Sequence, residues 1–86
     1  MPRDAGFVIA LTIYSRPGCH LCEEMKAIVE RVARRIQVTV EEIDVSGSPA
    51  LEERYGSEIP VLLVDGKKAA KYRVTEEELL RLLRRG

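Results

Sequence analysis

Two cysteines and one histidine are all the thiol and imidazole metal donors this 86-residue chain contains. Two cysteines cannot build the disulfide framework of a small secreted domain, and a bridge across three residues closes too short a loop to add much stability. A closed structural zinc site needs four ligands, and beside Cys19 and Cys22 only His20 is available. An excess of one charge is lacking too: 14 Lys and Arg balance 14 Asp and Glu, for a formal net charge of zero. No overall field therefore draws the chain to nucleic acid or to an anionic membrane. The basic groups Arg31, Arg34 and Arg35, and Arg81, Arg84 and Arg85, carry no interleaved aromatic residues on which bases would stack. No apolar run approaches a membrane span. The run Phe7–Tyr14 has the look of a signal-peptide core, but Arg3 and Asp4 cancel ahead of it and no small-residue cleavage site follows. Internal repeats, linkers and low-complexity tracts are absent. The length allows one core and not two, so the expectation is a single domain over 1–86, cytoplasmic and monomeric, with no nucleic-acid or membrane partner.

What is present is a soluble globular composition, 45% hydrophobic and 33% charged, arranged in clear periods. Phe7–Tyr14 is a continuous β-branched and aromatic run that predicts a strand buried on both faces. From His20 to Ile36 the apolar residues Leu21, Met25, Ile28, Val29, Val32 and Ile36 recur at helical spacing, with acidic residues early and basic ones late. Gln37–Asp44 alternates as a strand, with Val38, Val40 and Ile43 as its apolar positions. Ser48 and Pro49 then open a short helix to Tyr55 that Gly56 ends. Ile59–Val64 and Lys67–Val74 flank Asp65-Gly66, the dipeptide whose turn best matches strand twist in a hairpin. Thr75 with Glu78 forms a capping box for a last helix with Leu79, Leu80, Leu82 and Leu83 on its apolar side. The order βαβ-α-ββα predicts an α/β domain: a four-stranded mixed sheet, its first two strands parallel through a right-handed crossover, with helices on both faces.

Cys19 and Cys22 fall where the first strand hands over to the first helix. A thiol there meets unpaired backbone N–H groups and the positive end of the helix dipole, both of which favour thiolate over thiol. A second thiol three residues on lies about one helical turn away, near enough to close a small disulfide ring. The competing reading of the pair is two small buried hydrophobes. His20 is read either as a solvent-exposed residue of the first turn or as an imidazole that donates toward the Cys19 sulfur. Arg16 is read either as a surface arginine after a strand or as a positive charge near Cys19.

The segment Tyr14-Ser15-Arg16-Pro17-Gly18-Cys19-His20-Leu21-Cys22, followed by Ile59-Pro60 and the Asp65-Gly66 hairpin, resembles the glutaredoxin-like proteins of the thioredoxin fold over nearly the whole chain from Phe7. The resemblance implies a thiol–disulfide oxidoreductase with Cys19 as nucleophile and Cys22 as resolving thiol. It also implies a cis Pro60 lying against the cysteine pair, with the Ile59 backbone pairing with an extended substrate or glutathione. Arg16 matches the basic residue frequent three positions before the first cysteine, where it contacts a carboxylate. Thr75 and Glu76 are expected to offer helix N-terminal N–H groups to a ligand carboxylate. The partners implied are a disulfide-containing protein or a glutathione mixed disulfide, with glutathione as co-substrate or a thioredoxin reductase system as reductant, and no tightly bound cofactor or metal. The chain departs from the pattern in carrying His20-Leu21 between its cysteines instead of Pro-Tyr, and Arg73-Val74 instead of a Gly-Gly pair before the last helix. Ile13 stands where thioredoxins proper have a buried carboxylate. The rival class is a metal-binding module, holding Cu(I) or a glutathione-bridged iron–sulfur cluster on the two thiolates.

Overall fold

The computed structural model describes residues 8–85, so the start of the expected first strand at Phe7 and the ends of the 1–86 domain lie outside it. Strand β1 runs Ile9–Ser15, helix α1 His20–Ala33, and strand β2 Val38–Asp44. A 3-10 turn at Val45–Gly47 leads into helix α2, Pro49–Tyr55. Strands β3 (Val61–Val64) and β4 (Lys67–Lys71) form a hairpin, and helix α3 closes the order at Glu76–Arg85. The sheet order is β2-β1-β3-β4. β1 pairs parallel with β2 and antiparallel with β3, and β3 pairs antiparallel with β4. This is the expected α/β mixed sheet.

The two-residue period of the strands sorts the core into two layers. Leu11, Ile13 and Leu62 face α1 and α3, where Met25, Val29, Val32, Leu79, Leu80 and Leu83 complete the larger cluster. Tyr14, Val61 and Leu63 face the other way and pack with Val45, Leu51 and Tyr55, so α2 covers the second face. The rings of Tyr14 and Tyr55 stack with centroids 4.3 Å apart. Each fully buried aliphatic side chain here contributes roughly 1.5–3 kcal/mol, enough that the two clusters fix which side of the sheet each helix takes.

Several expected boundaries shift. The strand buried on both faces is β3, with Val61 and Leu62 fully inaccessible and Leu63 nearly so, whereas β1 buries only Leu11, Ile13 and Ser15 completely. The short α2 leaves Ala10 on the second face of β1 exposed. β2 is an edge strand with Val40 exposed, because the helices cover the middle of the sheet and not its rim. α1 stops at Ala33, three residues short of Ile36, and β3 starts at Val61 instead of Ile59. β4 ends at Lys71 instead of Val74, where Tyr72 turns to φ +69°. Gly56 terminates α2 with ordinary helical dihedrals, φ −57° and ψ −32°, instead of a left-handed cap. Its Cβ would collide with the Glu52 carbonyl, so glycine is needed there for space. At Asp65-Gly66, φ values of +51° and +85° make the expected hairpin turn. Asp65 also ties that turn to β1, accepting from the Ala10 N–H at 2.9 Å and donating its own N–H to the Ala10 carbonyl at 2.7 Å. No helix among the described residues is long and apolar enough to cross a membrane.

Candidate active site

Cys19 is the N-cap of α1, with extended dihedrals of φ −88° and ψ 114°. The turn before it closes through the Cys19 N–H, which donates to the Arg16 carbonyl at 3.2 Å. Gly18 takes φ +79° to make that turn, a conformation a side chain would strain. The Cys19 Sγ accepts from the Cys22 N–H at 3.1 Å, the position a serine or aspartate oxygen fills in an ordinary N-cap. Cys19 and Cys22 form a disulfide with their Cα atoms 5.2 Å apart. Cys19 is half-buried and Cys22 almost completely buried, so the first residue of the pair is open to solvent and the second lies behind it.

The Ile59–Pro60 peptide bond is cis, as the resemblance implied. Register brings it to the dithiol end of the sheet, since Val61 pairs with Tyr14, the residue that leads into the Ser15–Gly18 loop. Pro60 is fully buried and Ile59 half-buried. The Tyr72 N–H holds the Pro60 carbonyl at 2.8 Å, and the Tyr72 hydroxyl donates to the Ser57 carbonyl at 3.3 Å.

Other expected roles are redrawn. The His20 imidazole is 93% exposed and faces Glu24 at 4.0 Å, so it makes no bond to the Cys19 sulfur. The reason is local, because on a helix residues four apart are neighbours whereas adjacent ones diverge. The Arg16 guanidinium is drawn to the Glu52 carboxylate of α2, not to the sulfur pair. Thr75 and Glu78 form the expected reciprocal capping box: the Thr75 N–H donates to Glu78 Oε1 at 2.9 Å, and the Glu78 N–H donates to Thr75 Oγ1 at 3.0 Å. The Thr75 amide is therefore already engaged, and the Glu76 carboxylate pairs with Arg35 at 3.1 Å. Thr75 and Glu76 do share one groove with Leu21 of the cysteine motif.

Two features went unseen in the sequence. Tyr72 was unmarked because nothing in Lys-Tyr-Arg signals a left-handed tyrosine. On the other side of the motif, buried Ser15 donates its hydroxyl to Glu42 at 3.0 Å, and Lys26 pairs with the same carboxylate at 3.1 Å. The Glu42 hydrogen bond and charge raise Lys26 above its ordinary value. Only the parallel register that sets Glu42 beside Ile13 reveals this contact. Among the described residues, no group of three or more His, Cys, Asp or Glu is placed to hold a metal ion.

The glutaredoxin-like domain family (DUF836) matches residues 10–84. A glutaredoxin-like protein of Dictyostelium discoideum is 31% identical over 77 residues, covering 83% of this chain and 71% of its own length. A solution structure from Nitrosomonas europaea superposes with a TM-score of 0.78 at 27% identity, covering 95% of this chain and 98% of that one. A mutant thioredoxin from Halobacterium salinarum superposes at 0.65, also with 27% identity, over 90% of this chain and 73% of its own. With a matching domain across nearly all of its length, a thioredoxin-type sheet and a Cys-x-x-Cys pair at the head of α1, this chain belongs to the glutaredoxin-like family of the thioredoxin fold.

Proposed function

We propose that the protein is a dithiol thiol–disulfide oxidoreductase that reduces protein disulfides or glutathione mixed disulfides. The observation that carries this is the asymmetric pair: a half-exposed Cys19 sulfur bonded by a helix-terminal amide, with a buried Cys22 in disulfide contact behind it. In the reduced protein the same Cys22 N–H and the positive end of α1 favour a negative sulfur at Cys19. The Cys19 thiolate attacks one sulfur of the substrate disulfide, forms a mixed disulfide and expels the other substrate sulfur as thiolate. Cys22 then gives up its proton and attacks the Cys19 sulfur. That step releases the second substrate thiolate and leaves the Cys19–Cys22 disulfide, so the substrate gains two electrons and the protein loses two. An external dithiol system or glutathione, two molecules per turnover, returns the protein to its reduced form.

The β1–β3 register supports the same reading, because pairing Val61 with Tyr14 leaves the Ile59 backbone at the dithiol end of the sheet, where an extended substrate strand would pair. The experiment is turnover of a protein disulfide by wild type, Cys19→Ser and Cys22→Ser. Cys19→Ser is expected to abolish exchange, and Cys22→Ser to accumulate mixed disulfides detectable by mass. Full dithiol activity in Cys22→Ser would refute the division of roles.

A further inference from the structure

Among the described residues the sheet ends in two edges, β2 and β4, and they meet solvent differently. An edge strand presents a row of unpaired backbone N–H and C=O groups, a template to which another strand can add. β4 carries the usual guards: an irregular register opposite Leu62 and Leu63, and the side chains of Lys67, Lys68 and Lys71. β2 is longer, at seven residues, and keeps an unbroken register with β1. Its first half, Val38-Thr39-Val40, bears no charge. Val38, Val40 and Glu42 share the α1 face by the two-residue period of the strand. Val38 packs against the larger core cluster and Glu42 meets Lys26 of α1, but Val40 between them is 41% exposed. Charge is sorted along the same edge. Arg34 and Arg35, both exposed, stand where the chain enters β2, and exposed Glu41, Glu42 and Asp44 form its far end. A strand that is basic at its entrance and acidic at its exit complements itself when reversed.

We propose that β2 is an interface between two copies of this chain, which pair antiparallel along that edge and join two four-stranded sheets into one. Pairing centred on Thr39 sets the two threonines against each other. Val38 and Val40 of one copy then face Val40 and Val38 of the other, Glu41 faces Gln37, and Asp44 reaches the position of Arg34. β-Branched pairs, a threonine pair and opposite charges are the neighbours that stabilise antiparallel strands. A register centred on Glu41 or Glu42 would set carboxylate against carboxylate, so the charges select the pairing at the apolar half. The contact is isologous and closes at two copies. Because the dithiol loop follows β1, which runs parallel to β2, the two-fold arrangement leaves the two dithiols at opposite ends of the joined sheet.

Sedimentation of the reduced protein tests this. A contact confined to one strand edge belongs to the small interfaces, below about 1,200 Å2. Monomer is therefore expected to pass to dimer between about 10 µM and 1 mM. Val40→Lys, at an exposed position, is expected to raise the dissociation constant at least about tenfold, and to leave turnover of a protein disulfide unchanged. Arg34→Glu and Asp44→Lys each place like charges together at both ends of the pair, and each alone is expected to weaken the dimer. Mixed in equal amounts they restore opposite charges at both ends, and the mixture is expected to dimerise more tightly than either variant. A single monomeric species up to 1 mM, assemblies larger than two, or a dimer unaffected by Val40→Lys would each overturn the proposal. So would a mixture no tighter than its components; if Asp44→Lys does not fold, Val40→Lys decides.

Discussion

The Tyr72 N–H donates to the Pro60 carbonyl at 2.8 Å, and Tyr72 takes φ +69° to reach it. The bond ties the end of β4 to the residue that opens β3, next to the dithiol loop. A left-handed conformation costs a residue with a Cβ roughly 1 kcal/mol or more, and glycine almost nothing. Both Tyr72→Ala and Tyr72→Gly lose the ring, so their difference isolates the backbone. Tyr72→Gly is expected to be more stable than Tyr72→Ala by about 1 kcal/mol in urea unfolding. Equal midpoints would show that the backbone is not held there.

Gly56 offers a prediction opposite to helix propensity. In a helical conformation alanine is normally favoured over glycine by about 1 kcal/mol. Here the added methyl would collide with the Glu52 carbonyl and carboxylate and come 3.0 Å from the Arg16 guanidinium. Gly56→Ala is expected to destabilise by about 1–3 kcal/mol. The Arg16–Glu52 pair, each side chain about 40% exposed, is worth far less; a double-mutant cycle is expected to give about 0.2–1 kcal/mol. A stabilised Gly56→Ala would contradict the packing described.

Differential alkylation of the reduced protein reads the asymmetry of the dithiol directly. Cys22 is 2% exposed and Cys19 half-buried at the helix start. With limiting iodoacetamide near neutral pH, Cys19 is expected to react at least about tenfold faster than Cys22. Equal labelling by mass spectrometry would remove the basis for calling one sulfur the nucleophile.

Acid is expected to destabilise the fold through two carboxylates, exposed Asp44 and half-buried Glu58. Asp44 lies below its ordinary 3.8, chiefly because the Ser46 hydroxyl and amide donate to it. Glu58 lies below its ordinary 4.5, chiefly through the Lys68 ammonium at 2.7 Å. A depressed carboxylate in the folded state means the unfolded chain takes up protons first, so stability falls as pH drops below about 4.5. Lys26 works in the opposite sense: its raised value contributes up to its ordinary 10.5 and is lost as pH rises beyond it. Urea midpoints measured from neutral pH downward are expected to decline less steeply in Glu58→Gln than in wild type. An unchanged acid slope would mean the Lys68 contact is absent in solution.

Elements with a strong local signal were readable in the chain. The stripe of Met25, Val29 and Val32 set the buried face of α1, and the Thr75–Glu78 box set the start of α3. Asp65-Gly66 specified its turn through two residues that tolerate positive φ. The partners of charged side chains were not readable, since Arg16 finds Glu52 and Ser15 finds Glu42 across sequence separations of 36 and 27 residues. The apolar run that ends at Tyr14 predicts burial on both faces, yet β1 is fully buried on one, because an apolar run says that a strand is covered, not how long its covering helix is.

By itself the sequence determined the order of elements, the turn chemistry and the seating of two thiols at the head of a helix, because each rests on interactions within a few residues. The tertiary structure alone decided that His20 points away from the sulfur, that Tyr72 closes onto Pro60, and that Arg31 and Arg73 border one groove with Leu21. Those outcomes depend on which distant surfaces meet when the sheet closes, and no local propensity carries that information.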